Sequence, residues 1–211
     1  MRIVPFIYSE VFELAANSYL LIDSNNNCVI VDPGKEDNRV MDYINNNSLT
    51  LKAILLTHGH FDHIAGIKYL LKYFPVPIYI HTDERDFLKN PKLNCSNRFS
   101  RKDIVIENDV VTLKDGEVLK ILNEDIKVIH TPFHTRGSVC FYLEKENALI
   151  SGDTLFFMSI GRTDFPTACP ELIDSSLAKL MSLKDETKVY PGHGEETTIG
   201  FERKQNPFVK R

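Results

Sequence analysis

The sequence predicts an α/β protein in which two β-sheets pack against each other and carry helices on their outer sides. Three observations lead there. Short β-rich runs dominate both halves of the chain, each half also holds stretches with helical spacing, and histidines follow apolar runs in both halves. With 211 residues the chain is expected to form one domain, 1–211, large enough to bury a substantial core.

The elements follow in order. Arg2–Ile7, Asn17–Ile22 and Cys28–Asp32 read as strands, and Asp32-Pro33-Gly34 breaks the third. The asparagine runs Asn25–Asn27 and Asn45–Asn47 mark loop tips. Lys35–Asn45 reads as a helix with Val40, Met41 and Ile44 on one face, and Ala53–Leu56 as a short buried strand ending at Thr57. Ile64, Ile67, Leu70, Leu71 and Phe74 then recur at helical spacing until Pro75 stops them. Ile78–His81 is a strand and Thr82–Lys89 a helix, whereas residues 90–109 show no readable period. From Val110 to Asp153 strands dominate: Val118–Leu122, Ile126–Ile129, Ser138–Leu143 and Ala148–Ser151. A helix over Pro170–Leu183, a strand at Lys188–Tyr190 and a closing helix from Ile199 complete the chain.

Composition narrows the function classes. Hydrophobic residues make up 43% and charged residues 26%, as in ordinary globular proteins. The longest uncharged apolar run, Val139–Leu143, falls far short of the ~20 residues a membrane-spanning helix needs. The net charge of −4 offers no basis for broad nucleic-acid binding. Neither nucleic acid nor membrane is therefore expected as a partner, and the oligomeric state is left open. Cys28, Cys95, Cys140 and Cys169 form no Cys-x-x-Cys pair, and the first thirteen residues lack the apolar core of a secretory signal. Free thiols and a cytoplasmic location are expected.

The chemistry concentrates in Thr57-His58-Gly59-His60-Phe61-Asp62-His63. In an extended segment alternate side chains share a side, which groups His58, His60 and Asp62. Asp62 is also placed to cap a helix starting at His63, swinging that ring toward the same cavity. Gly59 is expected to let the backbone pass close to a metal. Imidazole with carboxylate suits zinc, iron or manganese, and the lack of a nearby cysteine argues against a structural zinc finger. Three further strings each follow an apolar run: His130–Thr135 containing His134, Gly152-Asp153-Thr154, and Pro191-Gly192-His193-Gly194. Seven such groups fill two sites of three ligands each, with one carboxylate shared. His81 has no companions and reads as structural, and His130 as structural or supporting, because His134 fits the pattern better. There is no Gly-x-Ser-x-Gly elbow and no phosphate-binding glycine loop. Cys169 reads as a free structural thiol.

The Thr57–His63 string, followed in order by His134, Asp153 and His193, resembles the metallo-β-lactamase superfamily. Gly152–Phe156, Ser159–Pro166 and Phe201-Glu202-Arg203-x-x-Asn206-Pro207-Phe208 resemble its short glyoxalase II, or hydroxyacylglutathione hydrolase-like, type. The resemblance implies an αββα sandwich, two mixed β-sheets flanked by helices, with a two-metal site at one edge. By position, His58, His60 and His134 would hold one metal, Asp62, His63 and His193 the second, and Asp153 would bridge them. Two divalent ions per chain are implied, zinc first, with iron or manganese as alternatives.

The implied activity is hydrolysis of a small thioester such as S-D-lactoylglutathione by a metal-bridging hydroxide, with Asp62 as the catalytic proton acceptor. Arg162 falls where those enzymes place a basic substrate contact, while Asp164 replaces a tyrosine there. Phe133 stands in place of the usual glycine before His134 and is expected to reshape the wall near the metals. The longer glyoxalase II enzymes add a C-terminal helical glutathione-binding domain, and none is expected here.

Two competing readings differ in class. Persulfide dioxygenases share the His-x-His-x-Asp-His string and a stretch like Gly161–Phe165, and use a single ferrous ion with oxygen. The endings Pro191–Gly194 and Phe201–Phe208 favour the hydrolase. A non-catalytic metal-binding interaction protein would have no need to keep all seven ligand positions.

Overall fold

The computed structural model describes residues 1–8 and 14–210. Two six-stranded mixed sheets face each other. The first runs in order β1 (Arg2–Phe6), β2 (Ser18–Ile22), β3 (Asn27–Val31), β4 (Thr50–Leu55), β5 (Ile78–His81) and β6 (Val110–Leu113). Its first three strands are antiparallel and its last four parallel. The second is built from β7 (Val118–Leu119), β8 (Ile126–His130), β9 (Val139–Leu143) and β10 (Ala148–Gly152), with β13 (Lys188–Pro191) and β14 (Thr197–Thr198). Their order is β14-β13-β10-β9-β8-β7, with only the β10–β13 pair parallel. A separate hairpin joins β11 (Leu155–Phe156) to β12 (Ser159–Ile160).

Helices cover the outer faces: α1 (Asn38–Asn46), α2 (Phe61–Ile64), α3 (Ile67–Leu71) and α4 (Ser96–Phe99) accompany the first half, and α5 (Ile173–Met181) and α6 (Ile199–Gln205) the second. The expected αββα arrangement is therefore observed, and its layering follows from period-two alternation. Tyr19, Leu21, Val29, Val31 and Leu55 point inward to meet Val128, Val139, Phe141 and Ile150 of the facing sheet. Their neighbours Leu20, Ile22, Cys28, Ile30 and Ile54 point outward and pack on Val40, Met41 and Ile44 of α1. On the other side Cys140, Tyr142 and Leu149 meet Leu177 and Leu180 of α5. Strands β2 and β9 are buried along their whole length because both faces are covered.

Three expectations change. The helix expected to run unbroken from Ile64 to Phe74 is split at Gly66, whose amide donates to Pro33 O at 2.8 Å. A Cβ there would lie 2.2 Å from Lys35 O, so the helix bends where the turn after β3 presses against it. Thr82–Phe87 forms a 3₁₀ helix rather than an α-helix. Asp62 does not cap a helix: α2 starts two residues earlier, with His60 at the N-cap, so Asp62 lies within the first turn. The unreadable stretch 90–109 is held by a side chain. Asn94, fully buried, donates to Phe87 O and Ile104 O, both at 2.9 Å.

The C-terminal Phe201–Phe208 string has a structural task. Glu202 is buried and accepts from Met158 N (3.0 Å), Asn206 Nδ2 (2.8 Å) and Thr197 Oγ1 (2.6 Å). Asn206 also donates to Ser159 O at 3.1 Å, so α6 braces the β11–β12 hairpin. All four cysteines are free thiols. No helix among the described residues is long and apolar enough to cross a membrane.

Candidate metal centre

Four loops at one end of the sheets meet. Thr57 follows β4, the His134 loop follows β8, Asp153 follows β10, and His193 follows β13. Backbone bonds tie the loops together. Val139 N donates to Thr57 O at 2.8 Å across the two sheets, and Gly192 N donates to Gly152 O at 2.8 Å. The Thr131 and Thr154 hydroxyls bond at 2.7 Å. Tyr19 Oη and Asn17 Nδ2 both donate to Pro191 O, fixing the His193 loop to the first sheet.

All seven residues singled out in the sequence come together. His58, His60 and His134 form one group, and Asp62, His63 and His193 form another. His60 Nδ1 lies 3.1 Å from His58 Nε2 and 3.0 Å from His134 Nε2. In the second group His193 Nε2 lies 3.2 Å from Asp62 Oδ2. Asp153 stands between them, with Oδ1 3.3 Å from His63 Nε2 and Oδ2 3.5 Å from His134 Nε2 and 3.7 Å from His193 Nε2.

The proton inventory fits cations at both positions. His134 Nδ1 faces Arg162 O at 2.7 Å and so carries its proton there, leaving Nε2 as a lone pair. The Thr57 hydroxyl is committed to Asp32 Oδ2, so it accepts from His58 Nδ1, and His58 Nε2 is a lone pair as well. His63 Nδ1 donates to Asp32 Oδ2 at 2.9 Å, so Nε2 faces the Asp153 carboxylate, as the seat of a proton in the metal-free protein and of a metal ion that displaces it. His63 Nε2 and Asp153 Oδ1 are both buried without a hydrogen-bond partner. Electron pairs converging in a buried space call for a cation, and nitrogen with carboxylate oxygen is a donor set for zinc, iron or manganese.

Titration points the same way in the first group. Burial pushes the imidazoles of His58, His60 and His134 down, His60 to about 3, so they are neutral as ligands must be. Burial also opposes charge on His63, but the carboxylates of Asp32 and Asp153 outweigh it and draw its pKa well up. Conversely, His193 and His63 overcome the burial of Asp153 and hold its carboxyl far below the ordinary range. Asp62 is lowered in the same way.

Two carboxylates that sequence reasoning did not assign to the site support it. Asp32, read there as a strand-ending turn, is buried and accepts from Thr57 N (2.8 Å), Thr57 Oγ1 (2.5 Å) and His63 Nδ1. Its signal was present, since it follows an apolar strand as Asp153 does. Glu84 lies beneath the histidine loop and accepts from Gly59 N at 2.9 Å and Gly137 N at 3.0 Å. Burial raises its carboxyl to about 7 against these hydrogen bonds.

A raised carboxyl stabilises the fold below the unfolded pKa near 4.5 and loses that contribution as pH rises through about 7. Denaturant unfolding of metal-free protein should therefore show the stability of wild type relative to Glu84→Gln falling by ~3 kcal/mol from pH 4.5 to pH 8. A pH-independent difference would contradict this.

Other sequence expectations are corrected here. Gly59 also answers a packing need, since a Cβ there would lie 2.5 Å from the Phe87 Cβ. Phe133 does not wall the site; it is fully buried among Leu155, Ile160 and Leu177 behind the second sheet. His81 is not alone: its ring stacks on His130 at 4.1 Å with Asp83 nearby. The two rings are within 13° of parallel, so their in-plane lone pairs cannot converge on one ion, and a structural role stands for both. Arg162 reaches the cavity beside the cluster, but its Nε and Nη2 are engaged by Asp164 at 2.6 and 2.5 Å.

Gly192 sets how closely the His193 loop approaches. A Cβ there would lie 2.3 Å from Asp153 Oδ1 and 2.9 Å from His63 Cε1. Gly192→Ala should shift both groups and cost roughly 100-fold in any metal-dependent turnover. Unchanged turnover would show that the loop has slack.

These features define a metallohydrolase-type centre on an αββα scaffold. Residues 11–193 match the family model of the metallo-beta-lactamase superfamily, and the chain belongs to that superfamily. It is 36% identical to the hydroxyacylglutathione hydrolase GloC of Haemophilus influenzae, over 92% of each chain. Among solved structures, BLEG-1 B3 metallo-beta-lactamase superposes with a TM-score of 0.91 at 38% identity, covering 100% of both chains. TTHA1623 in a di-iron-bound form superposes with a TM-score of 0.86 at 33% identity, covering 98% of this chain and 100% of that one. The protein is a metal-dependent hydrolase of the superfamily, with histidine–aspartate clusters suited to divalent metals.

Proposed function

We propose that the protein hydrolyses small thioesters at a centre of two divalent ions. His58, His60 and His134 would hold one ion, Asp62, His63 and His193 the other, and Asp153 would join them. The observation that carries this reading is Asp153, whose two oxygens face histidines of both groups at 3.3 to 3.7 Å. The endings Pro191–Gly194 and Phe201–Phe208 favour this reading over a single-ion dioxygenase. When bound, such a pair supplies Lewis acidity that makes water nucleophilic near neutral pH and polarises a carbonyl oxygen.

The chain's own residues do the rest. Asp32 and Arg162 O fix the tautomers of His63 and His134, so no ring need turn during the reaction. Asp62 lines the cavity as an ionised carboxylate and is placed to take the proton from the attacking water. The described lining holds no lysine or tyrosine to protonate a basic leaving group. That suits a thiolate, which leaves with a pKa near 8.5 and needs little acid assistance. Likeness to GloC supports the same reading. Zinc is the first candidate ion and iron the second, the latter supported by the di-iron relative. The free thiols favour a cytoplasmic setting.

The test is thiol release from S-D-lactoylglutathione by metal-reconstituted protein, with Asp153→Asn as the blank. Metal-dependent release above the blank is expected. No release, with opening of a β-lactam instead, would move the reaction to that of the BLEG-1 relative; oxygen uptake with a persulfide would move it to the dioxygenase.

A further inference from the structure

The cavity beside the cluster, about 410 Å³, has an aromatic wall that the metal chemistry does not use. Phe61 and Phe99 stack at 6.1 Å and 18°, and Phe99 meets Phe165 edge-on at 5.8 Å. Phe165 in turn packs edge-on against the His60 ring at 4.9 Å. The three rings thus run as one apolar surface from the rim to the candidate ligands. Phe99 is 39% exposed within this concave wall, so a ligand ring laid on it would remove apolar surface from water.

The charge at the rim is cancelled. Arg162 is the one lysine or arginine among the described residues lining the cavity. Asp164 grips it with two parallel hydrogen bonds, and its guanidinium lies 4.5 Å from the centre of the Phe165 ring. A bidentate pair of this kind presents an approaching anion with a carboxylate beside the cation, so the net attraction is small. Arg98 sits 5.5 Å from the centre of the Phe99 ring but does not line the cavity, and Lys35 and Arg101 line the adjoining hollow on the other side of Phe61 and Phe99.

Resting on the thioesterase reading, we infer that the preferred substrate carries an uncharged aromatic or bulky apolar group next to the reacting carbonyl. Phe99 is the residue that receives this group, and Asp164 the residue that denies a carboxylate in the same place any advantage from Arg162. The polar lactoyl group would then be a poor substrate relative to an arylacyl one.

The experiment compares kcat/KM for acetyl, phenylacetyl and succinyl thioesters of the neutral thiol N-acetylcysteamine. Acetyl benzyl thioester tests the same preference on the sulfur side. An aromatic ring on at least one side should raise kcat/KM by roughly 10-fold or more over acetyl-N-acetylcysteamine, while succinyl should gain nothing. Phe99→Ala should erase most of the aromatic gain, and Phe99→Leu, which keeps the bulk, only part of it. Asp164→Asn should raise the succinyl-to-acetyl ratio several-fold. Succinyl outrunning both aromatic thioesters, or an aromatic gain untouched by Phe99→Ala, would overturn the inference.

Calorimetry with metal-loaded protein separates this from the thioesterase reading. If no thioester is cleaved above the Asp153→Asn blank, that reading fails by itself. Tighter binding of phenylacetate than succinate, or of benzyl mercaptan than 3-mercaptopropionate, would still support the aromatic pocket. The reverse order in both pairs would refute it.

Discussion

Asp153→Asn is expected to abolish turnover while leaving the fold in place. The amide keeps one oxygen but turns an NH2 group toward histidine nitrogens 3.3 to 3.7 Å away, so it cannot join two cations. Removing a group that organises several kcal/mol of transition-state charge stabilisation should cost at least ~1,000-fold in kcat. The metal-free variant should be less stable than wild type at neutral pH but should still melt cooperatively. His63 and His193 hold the Asp153 carboxyl far below its ordinary range, and the neutral amide gives up that attraction. Steady-state kinetics with a thermal melt of chelated protein checks both halves. Full activity would remove the bridging assignment, and collapse of the apoprotein would make Asp153 a structural residue.

Asp32 carries the second large effect. Its carboxylate serves three buried groups and sits at a backbone φ of 49°, a left-handed conformation that asparagine tolerates and most residues do not. Asp32→Asn keeps the backbone but must turn an NH2 toward one of the three donors. We expect a loss of about 2 kcal/mol of apoprotein stability from the unsatisfied buried group. Metal affinity should also fall by roughly 10- to 100-fold as the His63 ring loses its fixed tautomer. Asp32→Ala should be worse in stability, because it strands all three groups and strains the turn. Denaturant melts and competition with a chromophoric chelator read the two effects separately. Wild-type metal affinity in Asp32→Asn would show that His63 needs no orienting partner.

The sequence made the strands and the seven clustered residues legible for one reason: each was a local pattern. Alternating apolar residues gave β2, β3 and β9, and polar donors at strand ends gave His134, Asp153 and His193. What it hid depends on contacts between distant segments. Gly66 breaks a helix only because the Pro33–Lys35 turn lies against it. Asn94 organises residues with no periodicity by bonding to Phe87 O and Ile104 O. Phe133 lies next to His134 in sequence yet turns into the opposite core. Asp32 looked like a turn residue because its partners, Thr57 and His63, come 25 and 31 residues later. Asp62 does lie beside His63 and His193, but helix α2 begins before it rather than after it, because where a short helix starts is set by the packing of its neighbours.

The most direct test of the two-ion centre is its stoichiometry. Metal-free protein titrated with zinc or ferrous ion, desalted and analysed for bound metal should hold two ions per chain at saturation, and Asp153→Asn should fall to one or fewer. One ion per saturated wild-type chain, with undiminished hydrolysis, would contradict a centre built on Asp153 as the shared ligand.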